Sequence, residues 1–350
     1  MIKRKKTRAV RVGRVIIGGG FPISIQTMWK EPIGDIDSNL IEKINALQAI
    51  GCDILRISVP DIRTAERVGR LTENIDIPLV ADIHFDYRIA LRILDFNIAK
   101  LRINPGNIRD KTKIEKIIRK ASARGVPVRV GINSGSLPGD LKDERDTALA
   151  MVKAAERELE IFSKIGFESI VFSLKSSDIH TTVRANKLFS ERYDYPLHIG
   201  LTEAGPLIQG TVKSTIALNK LIEEGIGDTI RVSLSSSPED EIIAAKEIVS
   251  SSTGIKRGIN IISCPLCGRA SFDVHSFLNK IGPSLNSMDK NITVAIMGCV
   301  VNGPGEAKSA DIGITGAGNY AVIFKRGKMI HKVSSERAAE LFKEELLKFQ

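Results

Sequence analysis

The chain has 350 residues, 43% hydrophobic and 26% charged, with a formal net charge of +10. This composition fills one large and one small soluble domain, and no run of 18 apolar residues is present to cross a membrane. The basic excess is a weak argument for nucleic acid: seven Lys and Arg fall in residues 1–14 with no acid, leaving +3 for the rest, and aromatic residues make up only 5%. The apolar stretch that follows is broken by glycines, a proline and Gln26, unlike a secretory signal, so a cytoplasmic protein with a solvated basic tail is expected.

In chain order, short β-branched runs predict strands at ISIQTM (23–28), DILRISV (53–59), PLVADI (78–83), AKLRIN (99–104), PVRVGIN (127–133), SIVFSLK (169–175), PLHIGLT (196–202) and TIRVSL (229–234). Between them lie segments with apolar residues at helical spacing that end on glycine, such as SNLIEKINALQAIG and KIEKIIRKASARG. Eight such units predict a (β/α)8 TIM barrel over residues 1–253, with an open doubly wound sheet as the rival architecture. The polar stretch SSTGIKRGIN reads as a domain edge. Beyond it, residues 254–350 predict a small α/β domain, with a helix near 273–282 and strands at 292–298, 311–314 and 320–324.

Four of the predicted strands carry an arginine among aliphatics: Arg56, Arg102, Arg129 and Arg231. Two positions on come Ser58, Asn104, Gly131 and Ser233, so strand alternation puts each pair on one face and the aliphatics on the other. In a barrel the arginines face inward, and four guanidinium groups cannot gather there without anions. Strand carboxylates are few, Asp82 and Glu203 among them, so separate salt bridges explain the set poorly. A small multiply charged anion, a diphosphate, suits the bidentate geometry of guanidinium. His84, Asn133, Ser173, Lys175, His198 and Glu203 fall near the same strand ends, where barrel active sites form. The blander roles are hydrogen bonding in the core for His84 and His198 and a solvent-seeking chain for Lys175. Glu203, an acid among arginines, reads as catalytic.

Cys52 opens an apolar run and reads as a small buried hydrophobe. Cys264 and Cys267 form a C-x-x-C in SCPLCGR, and Cys299 follows in MGCVVNGPGE. Three thiolates are one short of an ordinary iron–sulfur or zinc set. Glu306 is the nearest oxygen that would complete it, and an oxygen ligand exchanges more readily than a thiolate. His275 is the alternative, as fourth ligand of a structural zinc. A redox disulfide would leave Cys299 without a role.

SCPLCGR, MGCVVNGPGEAKSADIGITG, ADIHFD, LRINPGNI, VGINSGSL, VRAN, PLHIGLTEAG and GIGDTIRVSL together resemble the bacterial 4-hydroxy-3-methylbut-2-enyl diphosphate synthases of the methylerythritol phosphate route to isoprenoids. The resemblance runs from KRKKTRAVRVG to the end of the chain. It implies a barrel like that of dihydropteroate synthase, followed by a ferredoxin- or sulfite-reductase-like domain with a [4Fe–4S] cluster on Cys264, Cys267, Cys299 and Glu306. It implies reductive ring opening and dehydration of 2-C-methyl-D-erythritol 2,4-cyclodiphosphate. Arg56, Arg102, Arg129, Lys175, Arg231 and Ser233 would bind substrate, and Asp82, His84, Asn133 and Glu203 would serve catalysis, Glu203 as proton donor. A homodimer that caps each barrel with the partner's cluster domain, and a flavodoxin or ferredoxin as electron donor, are also implied. The basic N-terminus offers an acidic donor a docking site. MWKEPIGD (28–35) departs from the family's usual stretch at the barrel mouth. The rivals are a pterin-type phosphate-ligand barrel with a zinc tail and a non-enzymatic iron–sulfur nucleic-acid-binding protein.

Overall fold

A computed structural model describes residues 2–104, 106–108, 110–142, 144–299, 301 and 303–349. The chain divides into two compact units, one running to Gly254 and the other starting at Ile255.

The first unit opens with an antiparallel hairpin, β1 (Val10–Val12) and β2 (Val15–Ile17). Eight parallel strands follow: β3 (Ser24–Met28), β4 (Ile54–Ser58), β5 (Leu79–Ile83), β6 (Lys100–Ile103), β7 (Val128–Asn133), β8 (Ile170–Lys175), β9 (His198–Ile199) and β10 (Thr229–Ile230). They pair in the order β8-β7-β6-β5-β4-β3-β10-β9. A parallel bridge between Phe172 and Leu197 joins the two ends, so the sheet closes as a barrel and the open-sheet alternative falls away.

Eight helices alternate with these strands: α1 (Ser38–Ala49), α2 (Ile62–Leu71), α3 (Tyr87–Ile93), α4 (Lys111–Ala123), α5 (Thr147–Ile165), α6 (Ile179–Arg192), α7 (Leu207–Glu223) and α8 (Pro238–Thr253). In α4 the buried residues Ile114, Ile117, Ile118 and Ala121 recur at i, i+3, i+4 and i+7, which is why this segment coils against the sheet. Asp61, Asp86, Asp110, Asp146 and Asp178 each accept a backbone N–H as N-caps of α2 to α6. These caps fix where each strand-to-helix loop ends, and the loops form the barrel mouth.

Two differences from the predicted elements have physical causes. The seventh and eighth strands are much shorter than 196–202 and 229–234. At Gly200 a Cβ would lie 2.3 Å from the Arg231 carbonyl oxygen, an approach that only glycine permits. Past it, the Leu234 N–H donates to the Glu241 side chain instead of a neighbouring strand. The basic N-terminus, expected as a solvated tail, is folded. Arg4 donates to Asp228 at 2.7 Å, the Lys5 N–H donates to the Gly225 carbonyl, and Arg8 pairs with Asp194 while stacking on Tyr195. Val10, Val12 and Ile17 are buried with Ile54, Val80 and Val171, so the hairpin plugs the barrel floor. Arg4 and Arg8 are thereby engaged within the barrel unit, which weakens the docking role expected of this segment.

The second unit is a five-stranded sheet in the order β11 (Asn260–Ser263), β12 (Thr293–Met297), β13 (Ile312–Ala317), β14 (Tyr320–Lys325) and β15 (Lys328–Ser334). The first three strands are parallel and the last two add as antiparallel hairpins. α9 (Val274–Ser287) and α11 (Ala338–Leu347) bury Phe277, Ile281, Leu285, Phe342 and Leu346 with Val294, Ile296, Ile312, Ile314 and Ile323. α9 runs through Pro283 and past the predicted end at 282. α10 (Gly303–Ser309) is a single short helix. Among the described residues, no helix is long and apolar enough to cross a membrane.

Candidate active site in the barrel and candidate metal centre

Strand alternation sends Arg56, Asp82, Arg102, Arg129, Ser173, Lys175, His198 and Thr229 to the barrel interior, where all are buried. Asp82 on β5 is the central acceptor. Arg102 Nη1 donates to it at 2.8 Å, Arg56 Nε lies at 3.5 Å, and His84 Nε2 lies at 3.4 Å. Burial alone would raise the Asp82 carboxyl; Arg56 and Arg102, with the His84 hydrogen bond, hold it well below the usual carboxylate range. Asn107 lies 3.4 Å from His84 Nδ1, on the other side of the ring. An amide donating there leaves the ring proton on Nε2, facing Asp82.

Among the described residues, Arg129 and Lys100 have groups without such acceptors. Arg129 is 2% exposed, and its Nε and Nη1 have no hydrogen-bond partner. Burial, then Arg56 and Arg102, pushes it well below its ordinary value. A guanidinium stays protonated in proteins, so this strain becomes an affinity for an anion. Burial and the Arg231 and Arg102 charges likewise push Arg56 down to about 9, against the pull of Asp82. Burial followed by Arg129 lowers both Lys175 and Lys100 far below the usual lysine range, and Lys100 Nζ has no partner. Two glycines make room for these groups. A Cβ on Gly131 would lie 2.9 Å from Arg102 Nε, and one on Gly200 would lie 2.8 Å from Lys175 Nζ.

Arg231 follows β10 and is tied to Glu241 in the first turn of α8, at 3.2 Å. Burial raises Glu241, but Arg231, the Leu234 N–H and Thr27 outweigh it and keep the carboxylate low. Asn133 and Ser233 are half-buried at the strand ends. Glu203 is exposed on the loop after β9 with φ +51, a left-handed backbone that is strained in a non-glycine residue. His198 is fully buried beneath the site, its Nδ1 3.4 Å from Thr229, as a core histidine would be.

The structure thus gathers Arg56, Asp82, His84, Arg102, Arg129, Lys175 and Arg231 at the predicted end of the barrel. The sequence reading missed Lys100, Asn107 and Glu241. Lys100 was readable, since it lies two residues before Arg102 on one strand face. Glu241 was not, because acids in a helix's first turn are ordinary.

The depressed lysines have a measurable consequence. An anion restores their protons, so binding takes up protons and weakens as pH rises. With sulfate as probe, whose charge is constant here, affinity should fall as pH rises toward the ordinary lysine range, by up to roughly tenfold per unit for each proton taken up. Calorimetry in buffers of different ionisation enthalpy checks it. A pH-independent affinity would show that Lys175 and Lys100 do not respond to the anion.

In the second unit, Cys264 follows β11 and Cys299 follows β12, the adjacent parallel strand. Cys264 and Cys267 are free thiols, the first half-buried and the second exposed, while Cys299 is buried. Leu266 between the pair takes φ +66, and the Ala270 N–H donates to the Cys267 carbonyl, closing a tight turn just after the C-x-x-C. Gly298 keeps the space beside it clear: a Cβ there would lie 2.9 Å from Leu266 and 3.7 Å from Cys264 Sγ. Glu306 is exposed in the first turn of α10. His275 is exposed on α9. Val300 and Asn302, within the Cys299 motif, lie outside the described residues. Thiol donors after neighbouring strands fit an iron–sulfur group by their chemistry. Among the described residues, no three His, Cys, Asp or Glu stand close enough to hold a metal ion as they are. Cys52 is buried, and burial pushes its thiol up to about 12, as an inert core residue.

Comparison with known proteins agrees with both units. Residues 7–246 match the GcpE TIM-barrel domain and residues 260–348 match the GcpE protein C-terminal domain. A protein of Treponema denticola named 4-hydroxy-3-methylbut-2-en-1-yl diphosphate synthase (flavodoxin) is 47% identical, over 94% of this chain and 91% of its own length. One of the same name from Thermodesulfovibrio yellowstonii is 45% identical, over 99% of this chain and all of its own. Among solved structures, a type I 3-dehydroquinate dehydratase from Clostridium difficile superposes with a TM-score of 0.51 at 16% identity, over 71% of this chain and 98% of that one. A Plasmodium falciparum HPPK-DHPS also superposes at 0.51 with 13% identity, over 71% of this chain and 50% of that one, and both likenesses concern the barrel fold alone. Two family domains in tandem and near-full-length relatives at this identity place the chain in the GcpE family, that of the 4-hydroxy-3-methylbut-2-en-1-yl diphosphate synthases.

Proposed function

We propose that this chain is the oxidoreductase that opens 2-C-methyl-D-erythritol 2,4-cyclodiphosphate and dehydrates it to 4-hydroxy-3-methylbut-2-enyl diphosphate in isoprenoid biosynthesis. The reaction takes up two electrons and two protons, breaks the ring C–O bond at C2 and releases the C3 hydroxyl as water. The observation that carries this reading is Arg129, a buried guanidinium with two orphaned nitrogens among further cations. Arg56, Arg102, Arg129, Lys175, Arg231 and Ser233 bind the diphosphate, and they stabilise the charge gathered on the phosphate oxygen freed from C2. Asp82 stays ionised, orients Arg56 and Arg102 and fixes the His84 ring. His84 and Asn133 position the carbon skeleton. Glu203, carried at the mouth on a strained turn, protonates the departing C3 hydroxyl. Cys264, Cys267, Cys299 and Glu306 would hold a [4Fe–4S] cluster, which when bound would supply the electrons one at a time.

A flavodoxin is the donor that fits the relatives' name, and the cytoplasm is the compartment that fits the thiols. The assembly is a homodimer. Supporting it, Ile208, Val212 and Ile216 on α7 form an exposed apolar stripe at i, i+4 and i+8. If each barrel is served by its partner's cluster domain, Arg129→Met and Cys299→Ala chains, each inactive, should regain about a quarter of wild-type activity when co-assembled. No recovery would place both halves of the site on one chain.

The reaction itself is tested with anaerobically purified protein, the cyclodiphosphate and a chemical reductant. Turnover by a brown protein with about four irons per chain is expected. A colourless zinc protein without turnover would overturn the reading.

A further inference from the structure

The loop Met28–Asp35 contains a cation that the proposed reaction does not use. Lys30 is 31% exposed at the side chain, and its Nζ reaches Glu241 Oε1 at 3.0 Å. The same ammonium donates to the carbonyls of Leu234, at 2.8 Å, and Ser236. It therefore bridges the loop after β3 to the loop after β10. Trp29, beside it, is buried, and its backbone N–H donates to the Arg56 carbonyl at 2.8 Å, which fixes the loop to β4.

Glu241 is 1% exposed and serves five donor contacts. Oε1 is ion-paired with Lys30 Nζ and accepts from the Leu234 N–H at 3.0 Å and from Arg231 Nη2 at 3.2 Å. Oε2 accepts from Thr27 Oγ1 at 2.7 Å and from Arg231 Nε at 3.3 Å. A carboxylate offers about four lone-pair sites. Four hydrogen bonds fill these sites, Lys30 adds a fifth, purely ionic contact, and the two contacts of Arg231 are the longest. Arg231 is thus the donor that Glu241 releases most readily.

We infer that Lys30 is a positioning residue that shares Glu241 with Arg231 and so leaves the Arg231 guanidinium available to the anion in the barrel mouth. A neutral side chain at position 30 would let Arg231 close on the buried carboxylate and would remove one positive charge from the rim. Both effects weaken the hold on a diphosphate. Met28, Lys30, Ser58, Arg231 and Ser235 line one cleft, so Lys30 and Arg231 share a wall that an approaching anion can reach.

The inference rests on the diphosphate reading of the barrel. Its test is calorimetric titration of the full chain with inorganic diphosphate. Lys30→Met should bind about three- to tenfold more weakly, with Lys30→Arg restoring affinity to within about twofold. The Lys30→Met loss should shrink in an Arg231→Met background, because no guanidinium remains to compete for Glu241 and only the lost rim charge is left. Unchanged affinity in Lys30→Met, a loss that arginine does not restore, or an equal loss without Arg231 would each overturn the inference while leaving the cradle intact. Absence of diphosphate binding by the wild type would overturn the cradle and this inference together.

Discussion

Arg129→Met is expected to weaken diphosphate and substrate binding by about 10²- to 10⁴-fold, and at the same time to make the ligand-free protein more stable. The first effect follows from two charge-assisted hydrogen bonds lost to the phosphate oxygens, at about 1.5–3 kcal/mol each. The second follows from the absence of any acceptor for Arg129 Nε and Nη1 in the barrel. Asp82 is taken up by Arg56, Arg102 and His84, and Glu241 by Arg231 and Lys30. Replacing a poorly compensated buried charge by an apolar chain of similar length commonly stabilises by about 1–4 kcal/mol. At roughly 2–4 °C per kcal/mol for a barrel of this size, the melting temperature should rise visibly. Arg129→Lys keeps the charge but loses the two-pronged geometry, and belongs between wild type and Arg129→Met. Binding isotherms with thermal melts of the same preparations decide the matter. A variant that melts lower and binds the anion as before would make Arg129 a structural residue and remove the main support for the cradle.

The paired outcome expresses a general feature of this barrel. Its interior holds Arg56, Lys100, Arg102, Arg129, Lys175 and Arg231 against Asp82 and Glu241. Such a ring is strained until an anion arrives, and the ligand then contributes stability as well as chemistry. The Cβ-free positions Gly131 and Gly200 belong to the same design, since they leave space for the ends of Arg102 and Lys175.

Much of this was legible in the sequence, for identifiable reasons. Period-two alternation placed Arg56, Arg102, Arg129 and Arg231 on one face, and strand pairing brings them to one chamber. The eight-strand count survives even where β9 and β10 shrink to two residues each, because β-branched composition marks a strand whether or not its ladder is complete. The hairpin at Val10–Ile17 was hidden by the lysines and arginines around it. Its Val10 and Val12 alternate with Arg11, a three-residue pattern too short to stand out beside seven basic residues. Glu241 and Asn107 were hidden for another reason: each acts through a contact made across the fold, Glu241 on Arg231 and Asn107 on His84. Nothing in the local sequence of either distinguishes it from a helix-start acid or a turn asparagine.

The cysteine region gives the second large effect, and the four donors proposed for it should not fail alike. Cys264→Ala, Cys267→Ala and Cys299→Ala are each expected to abolish iron retention, the brown colour and turnover, a loss of at least about 10³-fold, because a thiolate is both the strong ligand and the anchor of the cluster. Glu306→Ala should keep most of the iron while changing the visible and paramagnetic spectra, since an oxygen ligand at one iron is weaker and exchangeable. Its turnover should fall by about 10-fold or more if the carboxylate protects that iron between cycles. His275→Ala should change nothing, because that ring sits exposed at the start of α9. Iron analysis and spectra of the five anaerobic preparations separate the possibilities. Retained zinc with loss of metal in His275→Ala would return the site to a structural zinc. Full turnover with an unaltered spectrum in Glu306→Ala would remove the carboxylate from the ligand set. The expected graded pattern requires the thiols on the ends of β11 and β12 and the carboxylate of α10 to draw together around the cluster, because they are not gathered tightly enough to hold a metal without it.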